Sequence, residues 1–81
     1  MNSAEISPQL LDVKGLKCPL PVLKARKAFG QMAAGEVLEV LATDPAAELD
    51  FRHFCNQSGH VLELSEKQED VLRFLIRKSD G

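Results

Sequence analysis

Apolar and polar residues divide the chain into six elements. Residues 9–13 form a short apolar run that reads as a strand. Over 19–32 the apolar positions Val22, Ala25, Phe29 and Met32 recur at helical spacing, and the break Ala33-Ala34-Gly35 follows. Residues 37–42 read as a largely buried strand. A second helix is predicted over 45–57, with Leu49, Phe51, Phe54 and Cys55 as its apolar set and Gly59 as its stop. Residues 60–65 alternate, placing Leu62 and Leu64 on one face, and 71–77 alternate with Leu72, Phe74 and Ile76 inward against Arg73 and Arg77. The polar segment 66–70 is the expected turn of a hairpin between the last two strands.

The order β-α-β-α-β-β predicts an α/β (α+β) two-layer sandwich, a four-stranded mixed sheet with two helices on one face around one core. Residues 9–78 form the single domain, between a flexible N-terminal stretch 1–8 and a flexible C-terminal stretch 79–81. No internal repeat or low-complexity stretch appears.

The two helix starts differ in one telling respect. Asp44-Pro45 is a conventional beginning, with aspartate as cap and proline at the first helical position. Cys18-Pro19 repeats the arrangement with cysteine in the cap position, and a residue before proline is biased toward the extended backbone a cap requires. With Pro21 removing another donor, Leu20 carries the early N–H placed to reach the Cys18 sulfur. Sulfur is a poor capping atom, so helix stability does not account for the choice.

Composition narrows the possible functions. A chain of 81 residues is one domain with a thin core, which disfavours a deep cavity for a large substrate. Trp and Tyr are absent and the formal net charge is −2, which weighs against a stacking platform or a phosphate-binding surface. Two cysteines do not make the disulfide scaffold of a secreted domain. The first residues, MNSAEISPQ, lack the basic and apolar regions of an export signal, and no apolar run reaches the ~20 residues of a membrane span. The expectation is a soluble cytoplasmic protein with reduced thiols.

Charge is unevenly spread. Up to Gly35, Lys14, Lys17, Lys24, Arg26 and Lys27 oppose only Glu5 and Asp12, whereas from Glu36 onward acidic residues outnumber basic ones two to one. Cys18 lies in the basic part. At a helix start it would feel roughly half a positive elementary charge, and thiols so placed have pKa values lowered to anywhere between ~3.5 and ~7.5. The neighbouring Lys14, Lys17 and Lys24 add to that expectation. The loop 14–17 exposes the thiol at the sheet tip, a setting for nucleophilic or sulfur-carrying chemistry. Cys55 reads as a buried structural thiol. His53 and His60 have no paired ligand spacing, so no metal site is expected. Glu36, Glu39, Glu48 and Asp50 read as a solvated acidic face, and Asp12 as a hydrogen-bonding support of the Cys18 loop.

The pattern Leu11-Asp12, Gly15-Leu16 and Cys18-Pro19-Leu20-Pro21 resembles the signature of the TusA (SirA-like) family of sulfur carrier proteins. The resemblance continues through Gly35-Glu36, Val40, Ala42-Thr43-Asp44-Pro45, Asp50, Phe54, Gly59-His60 and Phe74-Leu75-Ile76-Arg77-Lys78. It implies the same sandwich, and a sulfurtransferase activity in which Cys18 holds sulfane sulfur as a persulfide. On this resemblance, Pro19 and Pro21 shape the helix start and Leu20 fills the variable place between them, where partner choice is set. Asp12 and Gly15 support the motif, and the charges of Lys14, Lys17 and Lys24 are read separately as a docking surface. The implied donor is a cysteine desulfurase or rhodanese-like protein and the implied acceptor a downstream sulfur-relay protein, serving tRNA thiolation, molybdenum cofactor supply or sulfur oxidation. No cofactor, direct nucleic-acid contact or membrane contact is called for. Two other classes stay open at this point: a nucleic-acid-binding module, and a regulatory interaction module in which Cys18 is only a helix cap.

Overall fold

The computed structural model describes residues 8–80. Apart from Pro8, the stretch expected to be a flexible N-terminus lies outside the described residues, as does Gly81. The elements are β1 (Gln9–Asp12), α1 (Leu20–Phe29), β2 (Val37–Ala42), α2 (Ala47–Ser58), β3 (Val61–Gln68) and β4 (Val71–Arg77). The sheet order is β1-β2-β4-β3, with β1 parallel to β2 and the other pairs antiparallel. Parallel neighbours need a crossover, which α1 supplies. The fold is the expected two-layer sandwich with a four-stranded mixed sheet.

Alternation on the two central strands creates the core. Leu38, Val40 and Ala42 of β2 stand opposite Ile76, Phe74 and Leu72 of β4, and all six are buried. Ala25 and Phe29 of α1 and Ala47, Phe51, Phe54 and Cys55 of α2 close over them in one cluster. The ring centroids of Phe51 and Phe74 are 5.0 Å apart, joining helix to sheet, and those of Phe29 and Phe54 are 5.8 Å apart, joining the helices. The apolar stripe expected on α1 is therefore the buried one. Regular helix ends at Phe29, sooner than its stripe, and Met32 is buried by the turn that follows. Lys78 Nζ donates to the carbonyls of Phe29 (2.7 Å) and Met32 (2.5 Å), satisfying acceptors that the helix end leaves open.

Three expectations need correction. Leu49 is 59% exposed, because the buried side of α2 runs through Ala47, Phe51, Phe54 and Cys55 and position 49 falls off that stripe. Leu62 and Leu64 do not share a face. A bulge between them pairs Leu62 with buried Ile76 but Leu64 with Leu75, on the side away from the helices, so only Leu62 packs on the core. The hairpin turn is also tighter than 66–70. Glu66, Lys67 and Gln68 pair with Arg73, Leu72 and Val71, leaving Glu69-Asp70 as the turn, with Glu69 at φ 57°. Polar side chains are tolerated there because this end of the edge strand is exposed on both faces. Ion pairs cross the helix-free face, with Arg73 holding Glu39 at 2.7 Å and Glu66 at 3.0 Å.

Beyond β4, the Ser79 N–H donates to His60 Nδ1 at 3.1 Å. No helix among the described residues is long and apolar enough to cross a membrane.

Phe51 is fully buried and touches both layers. Phe51→Ala should therefore cost about 3–5 kcal/mol in urea unfolding at an unchanged slope. A loss below about 1 kcal/mol would show that these contacts do not hold the layers together.

Candidate functional site

The site forms where the parallel strands β1 and β2 end side by side. Val13 N–H donates to Leu41 O at 2.8 Å, extending the ladder one residue beyond β1. The chain then turns. Asp12 Oδ1 accepts the Lys14 N–H at 3.0 Å, and Leu16 N–H returns to Val13 O at 3.1 Å. Gly15 has φ 85°, a left-handed geometry that glycine takes without strain, and its N–H donates to Thr43 Oγ1 at 2.9 Å. Leu16 packs against the core and anchors the loop. Cys18 N–H then donates to Asp44 Oδ2 at 2.7 Å, while Asp44 Oδ1 accepts the Ala46 N–H at 3.1 Å. One carboxylate thus fastens the cysteine loop to the start of α2.

This changes the expected role of Cys18 at the start of α1. The first residue of α1 is Leu20, its cap position is Pro19, and no side chain caps it. Leu20 N–H donates to Lys17 O at 2.8 Å rather than to the cysteine sulfur. Cys18 is not a capping residue, and the proposal that it serves only as a cap loses its basis. Regular α2 starts at Ala47, but Asp44 performs the expected capping, its Oδ1 accepting the Ala46 N–H at 3.1 Å and its carbonyl the Ala47 N–H at 2.9 Å.

The electrostatics also run opposite to expectation. Both cysteines are free thiols, Cys18 exposed and Cys55 buried. The Cys18 thiol is pushed above its ordinary pKa, chiefly by hydrogen bonding to the Asp50 carboxylate, then by desolvation and by the charges of Asp50 and Asp44. The lysines do not offset this. Lys14 faces Asp12 at 3.9 Å, and Lys17 acts on Asp44, helping to hold its carboxyl below the usual range. The Cys18 and Ala46 N–H groups are the larger causes of that lowering. Burial pushes the Cys55 thiol up to about 11, consistent with a structural thiol.

Cys18 opens onto a recess of about 200 Å³ between the helices. Pro19, Val22 and Arg26 form one wall and Asp50, His53, Phe54 and Gln57 the other. A second recess of about 330 Å³ shares Arg26, Phe54 and Gln57 and runs on to Phe29, His60 and Lys78. The Arg26 guanidinium lies over the Phe54 ring, 5.5 Å from its centroid. Among the residues singled out from the sequence, Asp12 and Gly15 hold the loop, Cys18 and Pro19 line the recess, and Pro21 is buried below it. Leu20, Lys14, Lys17 and Lys24 are exposed around it. His53 shares the recess, but the group that acts most on the thiol is Asp50.

Sequence reasoning missed Thr43, Asp50 and the tethering role of Asp44. The available signal was topological: parallel neighbouring strands bring the loops at their carboxyl ends together, which is where open α/β sheets bind ligands. Among the described residues, no group of three or more His, Cys, Asp or Glu side chains is arranged to hold a metal ion.

A small two-layer sandwich presenting one exposed cysteine on a tethered loop before a helix defines the class. Residues 9–78 match the family described as sulfurtransferase TusA, and the chain belongs to that family. It is 46% identical over 71 residues to the sulfur carrier protein TusA of Allochromatium vinosum, covering 88% of this chain and 93% of that protein. It is 50% identical over 72 residues to a Neisseria meningitidis protein named as a sulfur carrier, covering 89% and 97%. The crystal structure of a SirA-like protein from Desulfitobacterium hafniense superposes with a TM-score of 0.76 at 28% identity, covering 88% of this chain and 97% of that one. The function these findings support is that of a sulfur carrier.

On folded protein, iodoacetamide should alkylate Cys18 with a half-point at higher pH than a free cysteine peptide run alongside, and should leave Cys55 untouched until denaturant is added. A half-point below that of the peptide would mean that the helix dipole and the lysines outweigh the carboxylates.

Proposed function

We propose that Cys18 carries sulfane sulfur as a persulfide, making the chain a protein sulfurtransferase of the relay type. The observation that carries this reading is the placement of Cys18. It is the exposed thiol of the two, its backbone is fixed by Asp44 at 2.7 Å, and it opens onto the groove between α1 and α2. In the charging step the Cys18 thiolate attacks the outer sulfur of a donor persulfide, and the donor cysteine leaves as thiolate. In the discharging step an acceptor thiolate attacks the outer sulfur now on Cys18, whose own sulfur leaves with the bonding pair and takes up a proton. No metal or organic cofactor enters either step.

The donor class is a cysteine desulfurase or a rhodanese-like protein, and the acceptor is another protein of a sulfur relay in the cytoplasm, where thiols stay reduced. The relay would feed tRNA thiolation, molybdenum cofactor supply or sulfur oxidation. The surface around Cys18 suits protein docking. Leu20 and Leu23 on α1 are 44% and 51% exposed, and Lys14, Lys17 and Lys24, close to Cys18 in sequence, are exposed as well. Their charges would steer encounter with acidic partner surfaces.

Intact-protein mass spectrometry after incubation with a cysteine desulfurase and free cysteine tests the reading. A reductant-labile gain of one sulfur atom in wild type and Cys55→Ser, absent from Cys18→Ser, is expected. Loading should slow with added salt in wild type and lose most of that salt dependence in Lys17→Ala/Lys24→Ala. No gain from this donor or from a rhodanese with thiosulfate would overturn the carrier role of Cys18.

A further inference from the structure

The groove contains a carboxylate for which the transfer steps give no account. Asp50 lies in the first turn of α2 and lines the same recess as Cys18, where its charge opposes formation of the thiolate. No ion pair within 4.0 Å engages it among the described residues. The other charged or titratable groups at the thiol come from every element around it. Asp44 is on the loop before α2, His53 is on α2, Arg26 is on α1 and Lys17 is on the loop carrying Cys18. Arg26 lies over the Phe54 ring, and neither it nor Lys17 forms an ion pair with Asp50.

We infer that Asp50 is a specificity-determining residue of the carrier: it holds Cys18 and its persulfide unreactive toward small thiols until a partner protein brings a cation into the groove between α1 and α2. The inference rests on the persulfide reading above, and its chemistry follows from the discharging step. When a small thiolate attacks the outer sulfur of the Cys18 persulfide, a new bond forms between the attacking sulfur and the outer sulfur. The bond from the outer sulfur to Cys18 breaks, and its electron pair stays on Cys18. That developing thiolate lies beside the Asp50 and Asp44 carboxylates, which oppose the build-up of charge. The leaving group is poor, and rates of thiol exchange fall as the leaving thiol becomes more basic. An incoming anionic thiolate meets the same repulsion. A protein partner escapes both penalties by placing a Lys or Arg against Asp50, which turns the repulsion into an ion pair and frees Cys18 to leave. The predicted partner feature is therefore a basic side chain near its own reactive cysteine, positioned to enter the recess.

The test has two arms, and the first needs no persulfide. Iodoacetamide alkylation of Cys18 is followed against pH in wild type, Asp50→Asn, Asp50→Lys and Asp50→Glu. Far-UV circular dichroism and continued protection of Cys55 confirm that each variant is folded. The half-point should fall in Asp50→Asn, fall further in Asp50→Lys and return toward wild type in Asp50→Glu. Each pH unit of fall gives about tenfold more thiolate at roughly threefold lower nucleophilicity, a net gain near threefold in rate at neutral pH. In the second arm, persulfide-loaded wild type and Asp50→Asn are challenged with glutathione, and the variant should lose its sulfur several-fold faster. Superimposable alkylation profiles, or equal loss to glutathione, would overturn the role of Asp50 while leaving the carrier reading intact. Failure of every protein to load would overturn the carrier reading, and the first arm would still decide whether Asp50 governs Cys18.

Discussion

The hydrogen bond from the Cys18 N–H to Asp44 is the interaction on which the site depends. It spans 26 residues of sequence and joins the loop leaving β1 to the loop leaving β2. It is possible because β1 and β2 are parallel neighbours, so that both loops leave the sheet at the same end. The Gly15 N–H bond to Thr43 Oγ1 repeats the connection one turn earlier. Together they fix a short exposed loop that would otherwise lose considerable conformational entropy on ordering. Asp44 accepts two N–H donors, and these hold its carboxyl below the usual range. Its contribution to stability is thus present above the unfolded carboxyl pKa and is lost only as pH falls through the lower folded value.

With the backbone so held, the chemistry at Cys18 is a contest between fields. The positive end of α1 and the nearby lysines favour the thiolate, whereas Asp50 and Asp44 oppose it. The carboxylates prevail: Asp50 shares the recess with the thiol and Asp44 holds its backbone N–H, while Lys14 is paired with Asp12. For an enzyme that must attack many substrates, such a setting would be a handicap. On the proposed carrier role of Cys18 it is an advantage, since sulfur held there would have to survive the journey between two proteins. Reactivity that depends on the partner is what a relay requires.

The architecture was legible in the sequence because burial enforces period. Leu72, Phe74 and Ile76 on β4 and Ala25 and Phe29 on α1 show their faces without ambiguity, and Cys18 is marked by its two prolines. The pattern failed where burial weakens. On the exposed edge strand, a bulge at Glu63 reverses the facing of Leu64 with no trace in the alternation, and the polar run 66–68 pairs although its composition suggests a turn. Asp50 was hidden for another reason. Its contact with Cys18 joins elements 32 positions apart, and a carboxylate in the first turn of a helix is already explained by the helix dipole. The basic surroundings of Cys18 in sequence were a poor guide to its surroundings in space, since the acidic neighbours arrive with α2.

The central claim is that Cys18 holds sulfur transiently, as cargo. It is tested most directly by loading the protein with ³⁵S from a cysteine desulfurase and labelled cysteine, then isolating it. The loaded protein is next mixed with fresh, unlabelled desulfurase whose active cysteine is empty. The account predicts that label moves onto the desulfurase while Cys18 returns to a free thiol, with the sum of protein-bound label conserved. Label that stays on Cys18, or leaves only as free sulfide, would show a terminal modification and contradict the account.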